Sequence, residues 1–143
     1  MRIIKLLSFA LILFITSCKK TSAPVENFYV AFKATLSGTK ETPANSSAAS
    51  GTVEATYNKN TKILALYITY SGLTATQGHV HKGAAGVAGP TVFAFPNLVS
   101  PINYTSIALD ATQEADLLAN FYYVNLHSAA YTNGEIRGQL IKQ

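Results

Sequence analysis

From Gly51 to Tyr57 apolar and polar positions alternate without a break. Val53, Ala55 and Tyr57 fall on one side, and Thr52, Glu54 and Thr56 on the other. Side chains two apart share a face of an extended chain, so this pattern predicts a half-buried β-strand. Thr61–Tyr70 sets Ile63, Ala65, Tyr67 and Thr69 against Leu64, Leu66, Ile68 and Tyr70. Apolar character on both sides predicts a central strand, covered on much of both faces. Further strands are predicted at Phe28–Leu36, at the start of Gln77–Pro90, and at Thr91–Phe95, Tyr104–Leu109, Tyr122–His127 and Glu135–Ile141. These runs are rich in aromatic and β-branched residues. Ser37–Ser50 and Pro96–Pro101 are built from turn-forming residues and read as surface loops, the first as a passive connection. One helix is predicted, Gln113–Asn120, capped by Asp110 or Thr112, with Glu114 and Asp116 near its positive end. The last two strand runs meet through Asn133-Gly134 as a hairpin. Together these elements predict an all-β fold over residues 28–143: an antiparallel, Greek-key-like β-sandwich of about 7–8 strands with one short helix.

The first residues follow a different pattern. MRIIKLLSFALILFITSC carries Arg2 and Lys5, then an apolar run from Leu6 to Ile15, then Thr16-Ser17-Cys18. The run is shorter than the ~20 apolar residues of a membrane span and ends in small residues. It resembles a bacterial lipoprotein signal peptide, 1–17, cleaved before a lipidated Cys18. Residues 18–27 then form a lipidated tether of Lys, Ser and Pro with little to pack. The expected address is the cell envelope, lipid-anchored and at the outer membrane, on its periplasmic or surface face. The expected partners are the membrane, through lipid on Cys18, and an envelope protein or glycan.

This address changes the meaning of the charge. The formal net charge is +4. Yet Arg2, Lys5, Lys19 and Lys20 belong to leader and tether, which leaves the folded part balanced. A neutral domain lacks the clustered basic surface that nucleic acid requires, so a nucleic-acid partner is not expected. Cys18 is the sole cysteine. The domain therefore has no disulfide, no thiolate nucleophile and no thiolate metal ligand, and packing must hold it together. Eight tyrosines, seven phenylalanines and no tryptophan suit a β-rich core.

Candidate chemistry is confined to a few side chains. His79 and His81 share a strand face, where two imidazoles can converge on one ion. In the last hairpin, Val124 and Leu126 face the core with Ile136 and Leu140. The other face carries Tyr123, Asn125 and His127 on one strand and Glu135, Arg137 and Gln139 on the next. A turn over 128–134 sets His127 near Glu135 and Asn125 near Arg137. His79, His81 and His127 are thus candidate ligands for copper or zinc, with Glu135 as a further ligand or a group behind one. Asn125, Arg137, Gly83 and Gly86 are candidates for binding or for ordering the loop. Gly83, Gly86 and Gly89 recur every third residue and lead into a strand, so they are read as backbone turns with positive φ rather than as a phosphate cradle. The chain has no serine-nucleophile elbow, no HExxH and no obvious carboxylate pair, which weighs against an enzyme.

These segments, in this order, resemble the CHRD domain family, found singly in many bacterial envelope proteins. The resemblance rests on Phe32–Gly38 with Glu41-Thr42-Pro43, on Ser50-Gly51, on Tyr67–Leu73, on His79–Gly86, and on Tyr123–Ser128 with Gly134–Leu140. It implies an antiparallel β-sandwich acting as a binding or interaction module. One departure falls in the final loop. Many members have a proline there, where this chain has Ala129-Ala130-Tyr131-Thr132-Asn133. More locally, Ser71-Gly72-Leu73 followed by His79-Val80-His81 and a glycine-rich loop is similar to the copper-ligand region of copper/zinc superoxide dismutases. The disulfide cysteine and the zinc loop of those enzymes are missing. What this second resemblance implies is a metal near His79, His81 and His127.

Overall fold

The computed structural model of the protein describes residues 27–143. The 1–17 leader, Cys18 and the tether up to Glu26 lie outside the described residues. Nine strands follow in order: β1 (Tyr29–Ser37), β2 (Ser50–Asn58), β3 (Ile63–Ser71), β4 (Gln77–Lys82), β5 (Thr91–Ala94), β6 (Ile102–Thr105), β7 (Tyr122–His127), β8 (Ile136–Gln139) and β9 (Ile141–Lys142). A 3-10 turn, Gly38–Lys40, follows β1, and helix α1 (Ala111–Leu118) precedes β7. Every pairing is antiparallel. The strands form one sheet in the order β5-β4-β7-β8-β1-β2-β3-β6, with β9 also paired to β1.

The sheet curls over on itself, so that its two halves face each other across the core. Phe32, Leu36, Val53, Leu64 and Ile68 from one half meet Val80, Val124, Leu126, Ile136 and Leu140 from the other. Each of these is at most 1% exposed, which leaves no doubt about which face is apolar. The edge strands are joined by aromatic packing, since Tyr104 of β6 lies 5.2 Å from Phe95 and 6.0 Å from Phe93 between ring centroids.

The all-β expectation holds, and several details differ. β3 sits between β2 and β6, as a central strand should, but only Leu64, Leu66 and Ile68 are buried. Tyr67 on its other face is 46% exposed, because no described residue buries that side. The last predicted strand divides at Leu140. Its N–H turns to the Tyr122 carbonyl at 2.9 Å, and the chain then passes to β1 as β9. The β6 strand begins two residues earlier than predicted, because Ile102 is a core residue. Helix α1 starts at Ala111 because the cap is Asp110, whose carboxylate takes the Gln113 N–H at 2.8 Å. Gln113 returns the bond to the Asp110 N–H, closing a capping box.

Candidate metal centre

The pairing of β4 with β7 sets Gln77 opposite His127, His79 opposite Asn125 and His81 opposite Tyr123. Period two keeps His79 and His81 on one face, and His127 lies diagonally across from His79 on the same face. The rings converge. His79 lies 5.3 Å from His81 and 5.1 Å from His127 between centroids, edge to face in both cases. One nitrogen from each of the three falls within 4.8 Å of the others.

The orientation of two rings is set by the backbone. The Nδ1–H of His127 donates to the Thr132 carbonyl at 2.9 Å, and the Nδ1–H of His81 donates to the Gly89 carbonyl at 2.9 Å. Each bond leaves the lone pair on Nε2, the tautomer usual for imidazoles that hold a metal, and the Nε2 of His127 accepts from the Nδ1–H of His79. The Nε2 of His81 is buried and has no hydrogen-bond partner. His79 Nδ1 lies 3.3 Å from His127 Nε2. Two nitrogens placed ~2.0–2.1 Å from one ion at a tetrahedral angle stand about 3.3 Å apart, so this pair already has the spacing of a chelate. Burial, then repulsion from His127 and His81, pushes the His79 imidazole below its usual 6.5. Burial also lowers His81, although the Gly89 carbonyl opposes it. Both rings are therefore neutral at neutral pH, the form that binds metal.

The polar face of the hairpin is covered rather than outward. Every residue of β7 is buried, because the 83–90 loop and the 38–49 segment lie across it. The predicted register is correct, with Asn125 opposite Arg137 and Leu126 opposite Ile136. Arg137 is 2% exposed. It donates to the Ala84 carbonyl at 3.0 Å, the Val87 carbonyl at 2.9 Å and the Thr42 hydroxyl at 3.2 Å, so it orders the loop. Gly83 presents its carbonyl to Gln139 at 2.9 Å. Of the three loop glycines only Gly86 has positive φ, at +76°. Gly89 is required for space instead, since a Cβ there would stand 1.7 Å from the Lys82 carbonyl oxygen. Asn125 lies within this buried layer, and its Oδ1 has no partner.

Glu135 does not join the histidines. Its carboxylate accepts the Ser47 hydroxyl at 2.7 Å, and among the described residues the convergent donor set consists of His79, His81 and His127 alone. The groups behind the imidazoles are main-chain carbonyls, not Glu135. The Ser37–Ser50 loop is correspondingly not passive. Ser47 meets Glu135, and Asn45 donates to the Gly134 and Glu135 carbonyls at 3.3 and 3.0 Å. Tyr123 had no assigned part. Its ring stacks on His81 at 5.0 Å and 6°, and its hydroxyl accepts the Gly89 N–H at 3.1 Å. Its place on the histidine face was legible from period two. The carbonyls of Gly89 and Thr132 had no side-chain signal to give.

No curated protein and no solved structure matches the chain significantly. A family model described as the CHRD domain matches residues 32–140, which spans β1 to Leu140 and so includes the whole histidine face. The chain belongs to the CHRD domain family.

Proposed function

We propose that this CHRD domain is a lipid-anchored binding protein of the cell envelope whose ligand is a transition-metal ion, copper or zinc. The observation that carries the reading is the convergence of three imidazole nitrogens within 4.8 Å, with two of the rings fixed through Nδ1 on main-chain carbonyls. An imidazole-only set suits copper and zinc, and offers neither the carboxylates of a calcium site nor the thiolates of a structural zinc site. His79 and His81 are only partly buried, so an ion held by them would lie within reach of solvent. The anchor is supported by the leader pattern and by the lone cysteine at position 18.

One experiment tests both halves. Cells expressing the protein are grown with copper or with zinc and fractionated, and the protein is assayed for metal by mass spectrometry. Wild type is expected in the membrane fraction with about one ion per chain. Cys18→Ser should move to the soluble fraction and keep its ion. His81→Ala should stay at the membrane and lose it. Metal-free wild type would overturn the metal reading, and membrane-bound Cys18→Ser would overturn the anchor.

A further inference from the structure

The 83–90 loop supplies the carbonyl that orients His81, yet the loop has little packing of its own. Residues 84–88 are exposed. Main-chain bonds tie its two ends, from the Lys82 N–H to the Pro90 carbonyl and from the Gly83 N–H to the Phe121 carbonyl, and a set of bonds from β7 and β8 holds what lies between. Arg137 takes the Ala84 and Val87 carbonyls, Gln139 takes the Gly83 carbonyl, and the Tyr123 hydroxyl accepts the Gly89 N–H. The Arg137 guanidinium carbon stands 3.4 Å from the Tyr123 ring centroid, and the same ring stacks on His81. His127 takes its orientation elsewhere, from Thr132.

The charge of Arg137 is informative here. A guanidinium one ring away from a cation site opposes binding of the cation by ordinary electrostatics. Its contribution must then be geometric, through its two planar bonds to loop carbonyls.

We propose that Arg137 and Tyr123 are positioning residues for the metal site: they fix the 83–90 loop so that the Gly89 carbonyl holds the His81 ring beside His79 and His127. This rests on the metal reading above. The pair touches no metal. Arg137 fixes Ala84 and Val87, Tyr123 fixes the Gly89 peptide and flanks the imidazole, and the Gly89 carbonyl sets the ring.

The test uses the full chain, purified in detergent and titrated with Cu(II) against a competing chelator, with electron paramagnetic resonance of the loaded protein. Tyr123→Phe keeps the ring and removes the bond to Gly89. Arg137→Lys keeps the charge and removes the fork, and Arg137→Gln removes both. Each is expected to weaken Cu(II) binding by roughly 10–100-fold, the usual cost of losing a group behind a metal ligand, and to shift the spectrum. If Arg137 acted through charge alone, Arg137→Gln would bind more tightly and Arg137→Lys would match wild type. Wild-type affinity and spectrum in Tyr123→Phe and Arg137→Lys would overturn the proposal, even if their melting temperatures fell. Should the Arg137 variants not fold, the near-isosteric Tyr123→Phe decides. Wild type that takes up no copper defeats the metal reading itself, an outcome distinct from copper-binding variants that equal wild type.

Discussion

Single residues on the covered face behave differently from their sequence neighbours because of what lies over them. The three histidines were legible as a set, since period two and the hairpin register place them without any tertiary information. Glu135 was not, because its carboxylate is claimed by Ser47, 88 residues away in the chain. Glu41 was also silent, and it carries a pH prediction. It is 8% exposed, and burial pushes its carboxyl above the usual 4.5, outweighing the Thr42 N–H and the Arg137 charge that lower it. Between 4.5 and the raised value the folded state holds more protons than the unfolded one. Stability therefore falls as pH rises through that window, and Glu41 contributes most below 4.5. Glu41→Gln lacks this dependence. Its melting temperature relative to wild type should rise between pH 4 and pH 7, as scanning calorimetry can show. A constant difference across that range would count against a strained buried carboxyl.

The 83–90 loop shows at the level of an element why glycine spacing alone is ambiguous. Gly86 and Gly89 look equivalent in the sequence, but one answers to φ and the other to space. A side chain at Gly86 meets nothing within 4 Å, so Gly86→Ala bears only the cost of left-handed backbone, about 1–2 kcal/mol. At Gly89 the added Cβ runs into the Lys82 carbonyl oxygen, which is main chain and cannot swing aside. Gly89→Ala should displace the loop, lower the melting temperature further than Gly86→Ala, and weaken copper binding through His81. Calorimetry and copper titration on both variants check this, and equal effects would mean that the loop tolerates a shift at Gly89. Most other elements were readable because each is a short alternating run with turn residues at its ends. The boundaries that moved did so for tertiary reasons, as at Leu140, where pairing passes from β7 to β1.

At the scale of the whole molecule the pattern predicted β-strands and a hairpin but not the closure of the sheet. The meeting of β5 and β6 through Phe93, Phe95 and Tyr104 depends on how far the sheet curls, and no local signal encodes that. Curling also leaves the polar face of β7 free to be covered by two segments distant in sequence, 38–49 and 83–90. A face that alternation alone marks as solvated becomes a buried layer with three imidazoles at its margin. The fold thus builds the site in two stages: the β4–β7 pairing brings the nitrogens together, and the Gly89 and Thr132 carbonyls fix the His81 and His127 rings. The measurement that tests this most directly is X-ray absorption fine structure of the copper- or zinc-loaded protein. Three imidazole nitrogens at ~2.0–2.1 Å from a single ion are expected. An ion held by one imidazole with oxygen ligands, or no ion retained by the folded protein, would contradict it.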